Sequence, residues 1–138
     1  MDIKFFDFHK KTDSRGKLVF FEIGKDIPFA VKRIYYLYDT EEGESRGYHS
    51  HKKLEQCLIC INGSVKITLD TAEEKSTILL DDNTKGLYVG NNIWRQMHDF
   101  SHDAVLLVLA SEYYDEEDYI RDYDNFLKWT NENKKTTT

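Results

Sequence analysis

The chain contains 138 residues, of which 40% are hydrophobic and 32% are charged, and its formal net charge is −6. This length suits one domain, and the composition excludes both a disordered chain and a membrane-spanning one. The acidic balance argues against a protein that binds nucleic-acid polymers through a basic face. Aromatic residues make up 14% of the chain, and this content favours a mostly β domain.

The N-terminal segment carries no export signal. Residues 1–4 run directly into charged residues, without the apolar segment or cleavage-like site of a secretory leader. The longest apolar run, 104–110, is too short to cross a bilayer. We therefore predict a cytoplasmic protein that does not insert into a membrane.

Eight short segments rich in Val, Ile, Tyr and Phe predict β-strands, and polar turns with Gly, Asn or Asp separate them. The predicted strands are 3–8, 18–23, 31–38, 55–61, 64–69, 76–80, 86–89 and 104–110. Between two of them, Asn62-Gly63 predicts a tight hairpin. Many short strands at this spacing indicate a sandwich or a barrel.

Cys57 and Cys60 are the only cysteines, and their C-x-x-C spacing occurs in redox and zinc sites. In an extended strand, however, the two side chains point to opposite faces. We therefore predict two buried structural thiols, which suits a reducing cytoplasm.

One helix is predicted at the end of the chain. Asp115 is its expected N-cap, acidic residues occupy the first turn, and Lys128 lies in the last turn. Apolar residues at helical spacing form one face that packs on the sheet: Tyr119, Ile120, Tyr123, Phe126 and Leu127. A single domain is thus expected over residues 1–130, and a polar, disordered tail over 131–138.

Segment 47–56 carries the densest group of chemically active side chains. If this segment is extended, His49 and His51 project to the same face, because side chains repeat every two residues. Two imidazoles on one face suit either metal binding or proton transfer near neutral pH. The residues alone also leave open a surface histidine pair without function.

Five residues match the spacing of a known signature: Gly43, His49, His51, Glu55 and Gly63. They resemble the first signature of the cupin superfamily, although the gap from Glu55 to Gly63 is one residue longer than usual. The resemblance implies an all-β, cupin-type jelly roll (a double-stranded β-helix) whose signature histidines line the barrel interior. With the predicted C-terminal α-helix, this is the expected fold.

The second cupin signature should supply a further metal-binding histidine, and residues 86–98 are the matching stretch. Here Trp94 is followed by Arg95, and a permanently cationic guanidinium opposes a divalent metal. His98 lies three residues beyond Arg95, on the opposite face of a continued strand. We therefore predict a site without metal, in which His49 and His51 act as general acid and base.

Longer stretches extend the resemblance from about Phe5 to Phe126: residues 13–16, 32–36, 46–56, 94–100 and 110–121. In this order they resemble the bacterial sugar-nucleotide 3,4-ketoisomerases, which act on dTDP-4-keto-6-deoxyglucose. The resemblance implies a cytoplasmic homodimer, in a family that often exchanges N-terminal strands. It also implies a place in the biosynthesis of 3-amino-3,6-dideoxy sugars for surface glycans.

Moving a ketone from C4 to C3 requires a base for the C3 proton and a proton relay at oxygen, but no redox cofactor. We expect no cofactor of any kind. Following the family's motif, His51 is the expected base and His49 the expected relay.

The diphosphate of such a substrate requires positive charge concentrated locally in an acidic protein. The arginines beside the motifs, Arg15, Arg33 and Arg46, are the expected ligands, with solvated surface arginines as the alternative. Tyr35 shares a strand face with Arg33. Tyr35 and Tyr48 are expected to contact thymine or sugar, although a plain core role stays open for both.

Arg95 is expected to bind the substrate, and a catalytic role in stabilising an enediolate stays open. Because arginine is a poor proton donor, we expect the gluco rather than the galacto configuration at C4 of the product. Three rival functions stay open: a metal-dependent cupin enzyme, a non-catalytic sugar-nucleotide-binding module, and a sugar-nucleotide epimerase.

Overall fold

A computed structural model describes residues 1–133 as two five-stranded antiparallel sheets, a separate two-stranded hairpin and one C-terminal helix. The strands are β1 (Phe5–Asp7), β2 (His9–Asp13), β3 (Gly16–Phe20), β4 (Arg33–Leu37), β5 (Arg46–His51), β6 (Gln56–Asn62), β7 (Val65–Asp70), β8 (Lys75–Leu80), β9 (Lys85–Val89), β10 (Trp94–His98), β11 (Val105–Ala110) and β12 (Tyr119–Ile120). A 3₁₀ turn spans Glu116–Asp118, and helix α1 spans Tyr123–Asn133. Within the described chain, no helix is both long and apolar enough to cross a membrane.

The two large sheets pack face to face around one apolar core. Their strand orders are β1-β9-β6-β11-β4 and β12-β5-β10-β7-β8. Buried side chains from both sheets meet between them: Leu58, Cys60, Val65, Ile67, Leu69, Leu80, Leu87, Val89, Met97, Leu106 and Val108. Burial of this apolar surface provides the main driving force for the fold. The predicted all-β, cupin-type jelly roll with one C-terminal helix is confirmed.

Strand β6 separates the two thiols, as predicted. Cys60 belongs to the core between the sheets, whereas Cys57 packs against Phe6, Phe8 and Ile27 in a second apolar cluster. Both cysteines are buried and free. Burial raises the pKa of Cys57 to about 12 and that of Cys60 to about 11, so both thiols stay protonated at neutral pH.

The predicted hairpin at Asn62-Gly63 is wrong. Strands β6 and β7 belong to different sheets, so the turn carries the chain from one sheet to the other. Gly63 has a φ of +71°, and an added Cβ would lie 2.6 Å from Asp103 Oδ1. The dipeptide correctly indicates a sharp turn, but the strand pairing depends on contacts between sequence-distant residues.

The predicted start of the helix at Asp115 is also wrong. Asp115 instead caps the 3₁₀ turn, where its side chain accepts a hydrogen bond from the Glu117 amide. Tyr119 and Ile120 then form β12, which pairs with β5, so α1 begins later. Ladder hydrogen bonds to β5 outweigh the weak local preference for helix in this segment.

Helix α1 continues to Asn133, three residues beyond the predicted end of the domain at residue 130. These residues belong to the predicted polar tail, and the rest of that tail (134–138) lies outside the described residues. Phe126 is fully buried and packs against Trp94 and Tyr123. The helix therefore packs against Trp94 at the start of β10 and against Ile120 of β12, on the sheet that carries the histidines.

Candidate active site

Strand β5, which carries both histidines, contains a β-bulge. The adjacent residues Arg95 and Gln96 of β10 pair with His49 and Gly47, so Tyr48 is the extra residue without a partner. Tyr48 has a φ of +56° and Gly47 a φ of +97°, both in the left-handed region that an L side chain rarely adopts. The bulge therefore places local backbone strain immediately before His49.

The bulge decides which side chains share the site. Arg46 lies three positions before His49, and regular alternation would place the two on opposite faces. The extra residue restores them to one face, where both line the same cavity. Glycine is required at position 47, because an added Cβ would lie 2.8 Å from the Arg95 carbonyl oxygen.

A cavity of about 560 Å³ opens on this face. Three arginines contribute to its wall, Arg33, Arg46 and Arg121, and no carboxylate among the described residues does. Tyr35 and Tyr48 line it as well. A chain with a net charge of −6 thus contains a cationic cavity of a size suited to a small-molecule ligand.

The two histidines occupy different depths. His49 lines the cavity, whereas His51 is fully buried and its ring centroid lies 4.9 Å from that of His49. Burial, followed by the nearby Arg95 charge, lowers the pKa of His49 to about 4 and that of His51 to about 2. Both imidazoles are therefore neutral at pH 7 and able to accept a proton.

Tyr119 and Arg121 are site residues that the sequence pattern missed. In β12, Tyr119 pairs with His51, and its ring centroid lies 4.3 Å from the His51 ring and 5.1 Å from the His49 ring. The Arg121 guanidinium lies 4.3 Å from the Tyr119 ring centroid and forms two hydrogen bonds with Glu116. Because the predicted helix included residues 119 and 121, no local signal placed them beside β5.

Arg95 lies beneath the cavity instead of lining it. It is fully buried and donates hydrogen bonds to Gln56 Oε1 and to the Ile93 carbonyl oxygen. The Gln56 amide in turn donates to the Tyr35 hydroxyl, 3.0 Å away. Burial lowers the pKa of Arg95 to about 10, so the guanidinium remains charged at pH 7. The structure thus shows no exposed surface of Arg95 for the predicted substrate contact.

Arg15, an expected phosphate ligand, lies outside the cavity of its own chain. It lies in the turn between β2 and β3, where its side chain is 88% exposed and forms an ion pair with Asp13. It does not line the cavity. The strand pattern could not show that this hairpin stands apart from both large sheets.

The residues present do not fit a cupin metal centre. The Glu55 carboxylate accepts a hydrogen bond from the Tyr88 hydroxyl, and Arg95 occupies the position expected for the last histidine. His98 instead contacts Thr68 and Asp99. Within residues 1–133, no group of three His, Cys, Asp or Glu side chains is arranged to hold a metal ion.

Fold and site together define a cupin-type jelly roll in which neutral His49 lines a cationic cavity and neutral His51 is buried next to it. This arrangement suits acid–base chemistry on an anionic ligand.

Comparison with known proteins agrees with this class. The chain belongs to the family described as WxcM-like, C-terminal (FdtA), which matches residues 1–131. A relative from Aneurinibacillus thermoaerophilus, TDP-4-oxo-6-deoxy-alpha-D-glucose-3,4-oxoisomerase, is 55% identical over 129 residues, which cover 94% of this chain and 93% of the relative. The family predicted from the sequence motifs is confirmed.

Two solved structures show the same similarity. The H51N mutant of the 3,4-ketoisomerase QdtA from Thermoanaerobacterium thermosaccharolyticum, in a complex with TDP-4-keto-6-deoxyglucose, is 48% identical, with a TM-score of 0.91 and 94% of each chain covered. A 3,4-ketoisomerase from Helicobacter canadensis is 50% identical, with a TM-score of 0.91, over 95% of this chain and 98% of that one.

Proposed function

We propose that this protein is a sugar-nucleotide 3,4-ketoisomerase that converts dTDP-4-keto-6-deoxyglucose to a dTDP-3-keto-6-deoxyhexose without a cofactor. The observation that carries the proposal is the pair of neutral histidines, His49 and His51, at a cationic cavity. The chain is also 55% identical to a 3,4-oxoisomerase of this substrate class. Its product is a ketone suited to transamination, in the biosynthesis of 3-amino-3,6-dideoxy sugars.

The cavity wall supplies the binding groups for the nucleotide. Guanidinium groups form paired hydrogen bonds with phosphate oxygens, and Arg33, Arg46 and Arg121 are the candidates for the diphosphate. Tyr35 and Tyr48 present aromatic rings and hydroxyl groups for the sugar or thymine. This division of roles predicts that loss of an arginine weakens dTDP binding, whereas loss of a histidine does not.

His51 is the proposed base, and His49 is the proposed relay for the oxygen-bound proton. His51 Nε2 has no hydrogen-bond partner among residues 1–133, and its ring centroid lies 4.9 Å from that of His49, which lines the cavity. Because catalytic hydrogen bonds often tighten only when the substrate is bound, the burial of His51 does not exclude it from this role.

The reaction balances within the sugar. His51 takes the proton from C3, and the electron pair of that C–H bond forms a C3–C4 double bond as the C4 carbonyl becomes an enediolate oxygen. The C3 hydroxyl then loses its proton to His49, which passes a proton to the C4 oxygen. C3 becomes the ketone, the C4 oxygen becomes a hydroxyl, and C4 receives a proton from the protonated base after exchange with solvent. The positive charge of Arg95 beneath the cavity and of Arg33 on its wall stabilises the enediolate.

Turnover in deuterated water tests this function directly. We expect NMR to show a 3-keto product with deuterium at C4 in the gluco configuration, and a coupled 3-aminotransferase to yield an amino sugar. Exchange at C3 or C5 while the ketone stays at C4 would identify an epimerase instead. Complete loss of activity to a chelator would identify a metal enzyme, and dTDP binding without exchange would identify a binding module.

Variants separate the proposed relay from the surface histidines. His49→Asn should abolish turnover and retain dTDP binding, because the arginines that hold the diphosphate are unchanged. His98→Asn is the matched control, since His98 contacts Thr68 and Asp99 outside the cavity, and it should keep the wild-type rate. A native rate in His49→Asn contradicts the assignment.

We also propose a cytoplasmic homodimer with exchanged N-terminal strands. Strands β2 and β3 pair with each other and, within the described residues, with no strand of the large sheets; a lone hairpin is marginally stable. Ile34 and Tyr36 on edge strand β4, with Tyr38 directly after it, add a second exposed apolar surface, and each is about 60% exposed. Sedimentation velocity should show a dimer that Tyr36→Lys weakens, and a monomer in the wild type contradicts the proposal.

A further inference from the structure

Asp118 is a carboxylate in direct contact with the buried histidine. Its Oδ2 atom lies 3.0 Å from His51 Nδ1, and its side chain is only 11% exposed. Because an ionised carboxylate can only accept hydrogen bonds, His51 must carry a proton on Nδ1 and donate it to Asp118. In a neutral imidazole, the other ring nitrogen, Nε2, then keeps its lone pair.

The backbone of the loop after β5 fixes this carboxylate in place. The Lys53 amide donates to Asp118 Oδ1 at 2.8 Å, and the Leu54 amide lies 3.4 Å from Oδ2. The Lys52 amide also donates to the Asp118 carbonyl oxygen at 3.0 Å. The orientation of the carboxylate is therefore set before any ligand enters the cavity.

The unused nitrogen of His51 points to a function for this arrangement. His51 Nε2 is buried and has no hydrogen-bond partner among residues 1–133. A buried polar atom without a partner is costly, so it calls for an explanation. A proton acceptor held ready for a transient proton gives this atom a role.

We propose that Asp118 is a positioning residue for the isomerisation, which holds His51 as the Nδ1–H tautomer so that Nε2 accepts the proton from C3. This inference rests on the proposed function. Asp118 does not line the cavity, so it acts through His51 and not on the substrate. Its effect should therefore appear in kcat and in the tautomer of His51, with little change in substrate affinity.

Asp118→Asn tests the inference with almost no change in shape. The side-chain oxygen can still accept from the Lys53 amide, which leaves the amide nitrogen to donate to His51 Nδ1 and reverses the tautomer. We expect ¹⁵N NMR of histidine-labelled protein to show His51 protonated on Nδ1 in the wild type and on Nε2 in the variant. We expect kcat to fall about 10²- to 10⁴-fold, as for other oriented histidines, while KM and dTDP binding change less than about threefold.

Asp99→Asn is the matched control, because Asp99 contacts the Nδ1 atom of His98 at 2.8 Å outside the cavity; its kcat should equal that of the wild type. The inference requires both the reversed tautomer and the lower kcat in Asp118→Asn, so failure of either overturns it. A wild-type protein that does not isomerise the substrate refutes the proposed function instead, and the wild-type tautomer still tests the Asp118–His51 contact.

Discussion

Replacing Gly47 with alanine tests whether the bulge before His49 holds the site together. Gly47 has a φ of +97°, and a left-handed conformation costs an L-residue roughly 1–2 kcal/mol. The added Cβ would also lie 2.8 Å from the Arg95 carbonyl oxygen and 3.2 Å from Gln96 Cα. These are backbone atoms of β10 that cannot rotate away, and overpacking of this kind costs about 1–3 kcal/mol more.

Gly43→Ala is the matched control for the backbone conformation alone. Gly43 has a φ of +81°, and an added Cβ there meets no atom within 4 Å. We therefore expect Gly43→Ala to lower the free energy of unfolding by about 1–2 kcal/mol, and Gly47→Ala to lower it by about 2–5 kcal/mol. Because domains of this kind are stable by about 5–15 kcal/mol, both variants should still fold.

Urea unfolding followed by tryptophan fluorescence measures both losses, and turnover of dTDP-4-keto-6-deoxyglucose measures the effect on the site. Displacement of His49 should lower kcat at least tenfold in Gly47→Ala and leave Gly43→Ala near the wild-type rate, since small displacements of reacting groups are costly. Equal stability losses in the two variants, or a wild-type kcat in Gly47→Ala, would refute this account of the bulge.

Three further predictions concern the thiols, the helix and pH. Neither Cys57 nor Cys60 should react with a thiol reagent until the protein is unfolded. Both are buried, and their pKa values are raised to about 12 and 11. A thiol that reacts at once in the native protein contradicts this prediction. Phe126→Ala should lower the free energy of unfolding by about 3–5 kcal/mol, measured in urea, because the ring is fully buried; a loss below about 1 kcal/mol means that α1 contributes little. The pKa of His49, lowered from 6.5 to about 4, means that the unfolded state binds more protons between these values. The shifted pKa of His49 therefore contributes about 3 kcal/mol to the free energy of unfolding. This contribution is present above pH 6.5 and is lost as pH falls through 4. The acid limb of the kcat/KM profile, corrected for unfolding, should lie near pH 4. An acid limb at pH 6.5 would contradict the conclusion that His49 is neutral at pH 7 because its pKa is lowered.

Much of the fold followed from local patterns. Short apolar segments between polar turns predicted eight of the twelve strands, because a strand buried on one or both faces needs apolar side chains at particular positions. The separation of Cys57 and Cys60 followed from the twofold periodicity of β6. The sequence pattern did not predict strand β10, because Arg95 and Gln96 interrupt the run of apolar residues that would indicate a buried strand. A polar core residue has the same sequence signal as a surface residue.

The family and its histidines were likewise available from the sequence, because the motif spacing around His49 and His51 is specific. Which histidine meets the cavity was not available. That distinction depends on packing with β12, where Tyr119 pairs with His51 and its ring packs against it, and such a contact joins residues that are distant in sequence. The same reason explains why Arg46 joins His49 on one face against the regular alternation.

The sequence by itself determined the acidic charge, the mostly β character and the family of this chain, and it singled out the histidine pair and the arginines as candidate site residues. The tertiary structure alone decided that the acidic chain encloses a cationic cavity, that Arg95 lies beneath it, and that β12 brings Asp118 and Tyr119 to His51. Local propensity favoured a helix at this last segment, and pairing with β5 outweighed it. Contacts between segments that are distant in the sequence determine these features, because the burial of a side chain and the electrostatic field around it depend on which residues folding brings together.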